Sequence, residues 1–189
     1  LDRSAAAADV YKRQLVRPIP PMRFLFLVLI TFLLAPAIGS AKLAFAQTNG
    51  SGLPLPRFVS LRADEVNMRA GPGVQYPIEW VYRRQALPME VVAEYGTWRK
   101  VRDWQGTQGW AHQSMLSNSR ALIVTGKVRT IRSQQSTKAA VVARAEPGAI
   151  GALLECPQER VWCRVEIEGH EGWLRSVEFW GVYRGEALE

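Results

Sequence analysis

From residue 57 onward the apolar positions come in short runs. Runs rich in β-branched and aromatic residues at 80–82, 89–95, 98–104 and 108–112 are separated by Pro88, Gly96 and Gly106, the spacing of short strands joined by tight turns. No stretch after Ala46 keeps a helical apolar period over a useful length, so no helix is expected there. Alternation within the run from Trp98 assigns its faces. Trp98, Lys100, Arg102 and Trp104 share one side, and Arg99, Val101 and Asp103 the other, because successive side chains on a strand point to opposite faces. The run from Trp162 reads alike, with Trp162, Arg164 and Glu166 opposite Cys163, Val165 and Ile167. The three apolar side chains mark the inward face, which turns Trp98 and Trp162 outward among charges.

These two runs are parts of a duplication. "TWRKVRDWQGTQGWAHQSML" at 97–116 has a degenerate echo in "VWCRVEIEGHEGWLRSVEF" at 161–179. Trp98 matches Trp162, Val101 matches Val165, Gly106 matches Gly169, and Gly109-Trp110 match Gly172-Trp173. Upstream, Met68-Arg69 pair with Ile131-Arg132, and 91–94 with 152–155. Each copy has about 60 residues, enough for a compact barrel with a small core. The expected fold is all-β, two tandem small barrels of five short strands each, since closure removes exposed strand edges. The copies are placed at 58–118 and 121–183, with 117–120 as linker and the Gly, Ser and Pro-containing stretch 47–57 as a flexible leader.

Ahead of the repeats, Met22-Arg23, an apolar block of 11 residues at 24–34 and the small-residue run ending Ala44-Phe45-Ala46 form the pattern of a cleaved signal peptide over 22–46. Cleavage is expected after Ala46, with Ala41 as the competing site. The block is short for a membrane span, which takes about 20 apolar residues, so no stable anchor is expected after cleavage. Residues 1–21 show no apolar period and are set apart from the fold as upstream sequence.

Removing that leader changes the charge. Of 24 basic and 17 acidic residues, six and two precede Gln47, which leaves 18 against 15. The excess lies in the first copy, with nine basic and six acidic residues at 57–120, whereas 121–189 holds nine of each. Any electrostatic role is therefore mild and sits in the first copy. The two cysteines, Cys156 and Cys163, are separated by six residues. In an oxidising compartment they are expected to form a disulfide that clamps a hairpin.

The stretch "VNMRAGPGVQYP", the strand "TWRKVRDW" and the closing "GTQGWAHQSML" resemble the bacterial SH3-like (SH3b) domain family. The match is good over 58–118 and looser over 121–180, where the Gly-Pro-Gly is missing. Exported tandem SH3-like proteins of Gram-negative bacteria are especially similar, which implies a periplasmic location. The resemblance implies binding to a peptidoglycan peptide or an envelope partner protein, with no catalysis by the domain and no cofactor. It also places Trp98 and Trp162 where SH3 domains carry their groove tryptophan. His112 and Met115 stand where the proline and tyrosine of a proline-binding groove would be, which argues against Pro-rich ligands.

The candidate ligand residues are Arg69, Tyr76, Trp80, Trp98, Trp104 and Trp162. An outward indole between cations is a stacking platform; as the other reading, each indole is a lid on a small core. Trp110 and Trp173 recur after a glycine in both copies and read as architectural. Gly71-Pro72-Gly73 precede strand-like residues instead of a helix, so they form a bend and not a phosphate loop. A catalytic thiol is not expected from disulfide-bonded cysteines, and two histidines in separate copies build no closed metal shell. Nucleic acid is an unsuitable partner for an exported chain. The chain reads as a non-catalytic periplasmic binding module acting by stacking and hydrogen bonding on a groove of the first copy, with a structural envelope scaffold or an accessory subunit of a cell-wall hydrolase as alternatives.

Overall fold

The computed structural model describes residues 12–14, 50–157 and 161–189. The signal sequence at 22–46 lies outside the described residues, as do residues 47–49 of the leader. A short strand β1 (Lys12–Gln14) is followed by β2 (Arg57–Leu61), β3 (Val66–Arg69), β4 (Ile78–Tyr82), β5 (Pro88–Tyr95), β6 (Trp98–Arg102) and β7 (Gln108–His112). A 3-10 turn (Gln113–Met115) then leads into β8 (Leu116–Ser117). The second copy repeats the series as β9 (Ala121–Val124), β10 (Arg129–Arg132), β11 (Val141–Ala145), β12 (Ile150–Glu155), β13 (Trp162–Ile167) and β14 (His170–Arg175), then a 3-10 turn (Ser176–Glu178) and β15 (Phe179–Trp180).

Both sheets are antiparallel and have the same order. It runs β4-β3-β7-β6-β5-β2-β8 in the first copy and β11-β10-β14-β13-β12-β9-β15 in the second. The tandem all-β architecture stands, with more strands than the expected five, because β2 in the first sheet, β9 in the second, and the two-residue strand after each 3-10 turn also join. Residues 12–14 pair with the outer edge of β4.

Alternation works as elementary strand geometry requires. In β6 Arg99 and Val101 are buried, and in β13 Cys163, Val165 and Ile167 are, while Trp98 and Trp162 stay half-buried on the other side. The face assignment fails only at Trp104. The strand ends at Arg102, and the carboxylate of buried Asp103 accepts the backbone N–H of Gln105 at 2.9 Å and of Thr107 at 2.8 Å. That turn carries Trp104 off the Trp98 face and onto the first core. Asp103 also accepts the Tyr82 hydroxyl at 2.8 Å, so its burial is matched by partners.

The upstream pairing of the copies needs a correction of one residue. Val91 lies opposite Val101, and Leu153 opposite Val165; Val91 thus corresponds to Leu153 and not to Ala152. Each copy carries a bulge just after that position, between Val91 and Ala93 and between Leu153 and Glu155. The bulge adds a residue without a partner across the ladder, which hides the register in the sequence. The Gly-Trp motif has a steric reason in the second copy: a Cβ on Gly172 would come 2.6 Å from the Arg132 carbonyl oxygen, where β10 crosses β14.

Each copy has its own core, and the copies are docked: Ile123 of β9 belongs to the first core, with Ile150 and Trp180 packed against it. Leu61, Met68, Tyr82, Leu87, Met89 and Val101 centre the first core; Leu122, Ile131, Val165 and Leu174 centre the second. Between them Phe58 packs edge-on against Trp180, with ring centres 4.8 Å apart, and against Tyr183 at 4.6 Å. Arg120, in the linker, is paired with Glu186 and donates to the Gly181 carbonyl at 2.8 Å. On the N-terminal side Ser51 donates its hydroxyl to Glu94 at 2.8 Å, which ties the described part of the leader to the first copy. The disulfide Cys156–Cys163 joins the end of β12 to β13.

Candidate functional site

The glycine-rich stretch and its counterpart form the same loop. Arg69 donates to the carbonyls of Val74 at 3.0 Å and Tyr76 at 2.7 Å; Arg132 donates to that of Ala139 at 2.8 Å. The Ala70 N–H reaches the Pro77 carbonyl and the Ser133 N–H the Ala140 carbonyl, each at 3.0 Å. The bend thus forms without glycine in the second copy. Glycine is needed in the first because the Tyr76 ring lies on Gly71, where a Cβ would fall 2.5 Å from the ring. At the matching places the second copy has Ala139 and Gln134, so ring and glycine are lost together. Arg69 and Arg132 therefore brace loops whose tips are open to solvent.

The six candidates separate into four places. Arg69 and exposed Tyr76 belong to this loop. Trp80 and Trp104 are partly buried against the first core. Trp98 pairs in register with His112, and their rings meet edge-on at 5.4 Å. Trp162 stands at the matching position of the second copy, in register with Arg175.

Around Trp162 the surface is concave. A cleft of about 280 Å³ is lined by Lys127, Arg129, Arg132, Trp162, Arg175 and Glu178, among others. Its carboxylate is already engaged: Glu178 accepts the Arg175 guanidinium at 2.7 Å and the Arg175 backbone N–H at 3.2 Å. The Glu178 hydrogen bond and charge raise the pKa of Arg175, so that side chain stays cationic.

A sequence family fits these two copies. The bacterial SH3 domain family matches residues 62–118 and again 127–181, together more than half of the 189 residues. The chain belongs to the bacterial SH3 domain family. No curated protein matches the sequence. Among solved structures, that of NlpC1 from Trichomonas vaginalis is similar at 14% identity and a TM-score of 0.31, over 75% of this chain and 51% of that one. The structure of NlpC2 from Trichomonas vaginalis is similar at 12% identity and a TM-score of 0.30, over 67% and 48%. The chain thus spans about half the length of these structures.

In the second copy Trp162 shares its cleft with Lys127 and Arg129, just after β9, and with Arg175 of the closing strand; no single motif marks these cations. Lys127 and Arg175 become visible as a pair only when the copies are placed in register, which sets them against Asp64 and His112. Among the described residues no three His, Cys, Asp or Glu side chains are close enough to hold a metal ion. Both cysteines are held in the disulfide. No helix of the described residues is long and apolar enough to cross a membrane.

Proposed function

We propose that the chain is a non-catalytic, periplasmic binding module that recognises a cell-wall peptide through the outward tryptophan faces of its SH3 copies. The observation that carries this reading is the paired placement of Trp98 and Trp162. Each sits half-buried at the start of the central strand and beside a polar side chain of the closing strand, His112 in one copy and Arg175 in the other. A half-buried indole gives a rigid apolar plane for an extended chain to lie on, and the flanking polar groups orient it. The apolar segment at 24–34, the small-residue run to Ala46 and the disulfide all favour export to an oxidising compartment.

Co-sedimentation of the purified protein with purified cell-wall sacculi tests the proposal. Retention above that of a control protein of similar charge is expected; none would overturn it. The docked copies also favour a second reading, an envelope scaffold without a small ligand, because Phe58, Trp180 and Tyr183 fix the copies against each other. The scaffold reading predicts no retention.

A further inference from the structure

Matching positions of the two copies carry different charges. The sheet registers align the copies without a gap from β2/β9 through β4/β11. In that alignment Lys127 replaces Asp64, Val128 replaces Glu65 and Arg129 replaces Val66, while Arg132 keeps the place of Arg69. On the closing strand, Arg175 replaces His112. The second copy thus lines its cleft of about 280 Å³ with four cations and the Trp162 indole.

The charges inside the cleft do not cancel. Glu178 is its one carboxylate, bound by Arg175, with the Arg129 guanidinium 3.9 Å away. Arg132 gives one N–H to the Ala139 carbonyl, which is neutral, and has no ion pair with any described residue. Exposed Lys127 has no ion pair with any described residue. Several cations facing a concave, partly desolvated surface raise its positive potential and draw anions to it. Guanidinium groups there offer planar forks of N–H donors, the geometry that a carboxylate accepts.

We infer that the second copy's cleft binds a free carboxylate of a peptide ligand, with Lys127 and the arginines around it holding the charge and Trp162 supporting the adjoining chain. This rests on the reading of the protein as a peptide-binding module, and it divides the work between the copies. The first copy, with exposed Asp64 where Lys127 stands and with Glu65 already paired with Arg83 at 3.1 Å, offers the anion no matching cation there. The nearly neutral balance of residues 121–189 conceals this, because among the described acidic residues of that copy only Glu178 lines the cleft.

Calorimetric titration of the full-length protein tests the inference, using a tetrapeptide with two free carboxylates and the same peptide fully amidated. The acidic form is expected to bind at least about fivefold more tightly, the scale of one good ion pair, and to weaken as salt is raised. K127E should lower affinity for the acidic form by a similar factor without shifting the melting temperature, since Lys127 makes no ion pair with a described residue. D64A in the first copy should leave it within about twofold. Equal affinity for the two peptides, or an acidic-peptide affinity unmoved by K127E, would overturn the carboxylate inference. Sacculus retention would still support the peptide-binding reading in that case. Binding of neither peptide together with no sacculus retention would remove both.

Discussion

The Tyr183 hydroxyl of the second copy donates to Glu90 of the first at 2.9 Å. Glu90 is buried and is also held by Arg102. Burial raises the pKa of Tyr183, and the Glu90 hydrogen bond and charge raise it further, so the phenol remains a neutral donor. Tyr183→Phe should lower stability by about 1–2 kcal/mol, because a buried carboxylate oxygen loses its donor. Tyr183→Ala, which also removes the ring from Phe58, should split calorimetric unfolding into two transitions, one per copy. A single unchanged transition would show that the copies are coupled without the Tyr183 contacts.

A second prediction concerns acid. Burial works to raise the pKa of Glu94, but the Ser51 backbone N–H and the side chains of Arg57 and Ser51 outweigh it, and the group falls from 4.5 to about 2. A carboxyl whose folded value is depressed stabilises the fold above its unfolded value, and that contribution is lost as pH falls toward the folded value. The first copy should therefore lose stability between about pH 4.5 and pH 2. Glu94→Gln should already be less stable at pH 7, by on the order of 2 kcal/mol, and should lose less over that acid range. Denaturant melts of both proteins at several pH values check this.

The contrast between the cores gives a third. Tyr82 is fully buried in the first copy, where Ala145 stands in the second. Trp80 and Leu87 are likewise matched by Ala143 and Ala149, and these three alanines line a cleft of about 270 Å³. Tyr82→Ala should cost the first copy about 3–5 kcal/mol, through the cavity it leaves and the Asp103 oxygen it strips of a donor. Ala145→Gly should cost the second copy no more than about 1 kcal/mol. Near-equal losses would show that the first core does not depend on the ring.

The disulfide closes a short loop, with its cysteines seven positions apart. Reduction should destabilise the second copy by roughly 2 kcal/mol. The first copy should lose only what it gains from docking. Thermal unfolding with and without a reductant, followed by indole signals assigned to each copy, would show this asymmetry or refute it.

What the sequence made legible follows from physical range. The alternation of β6 and β13 depends on strand geometry alone, so Val101 and Val165 were placed inward from the chain's own pattern. Trp104 escaped because a side-chain turn at Asp103 ends the strand two residues early. The pairing of 91–94 was one residue out because a bulge leaves no mark in composition. Phe58, Glu90 and Tyr183 carry no local signal of contact; Glu90 and Tyr183 are 93 positions apart. The cationic cleft was hidden differently. Its residues are ordinary surface charges one by one, and only the register between copies sets Lys127 against Asp64 and Arg175 against His112.

The central claim is that the tryptophan faces bind cell wall, and sacculus co-sedimentation of Trp98→Ala, Trp162→Ala and the double variant, each checked for an unchanged fold by circular dichroism, tests it most directly. The account predicts reduced retention for each single variant and retention at the level of a control protein for the double variant. Undiminished retention of a folded double variant would contradict it.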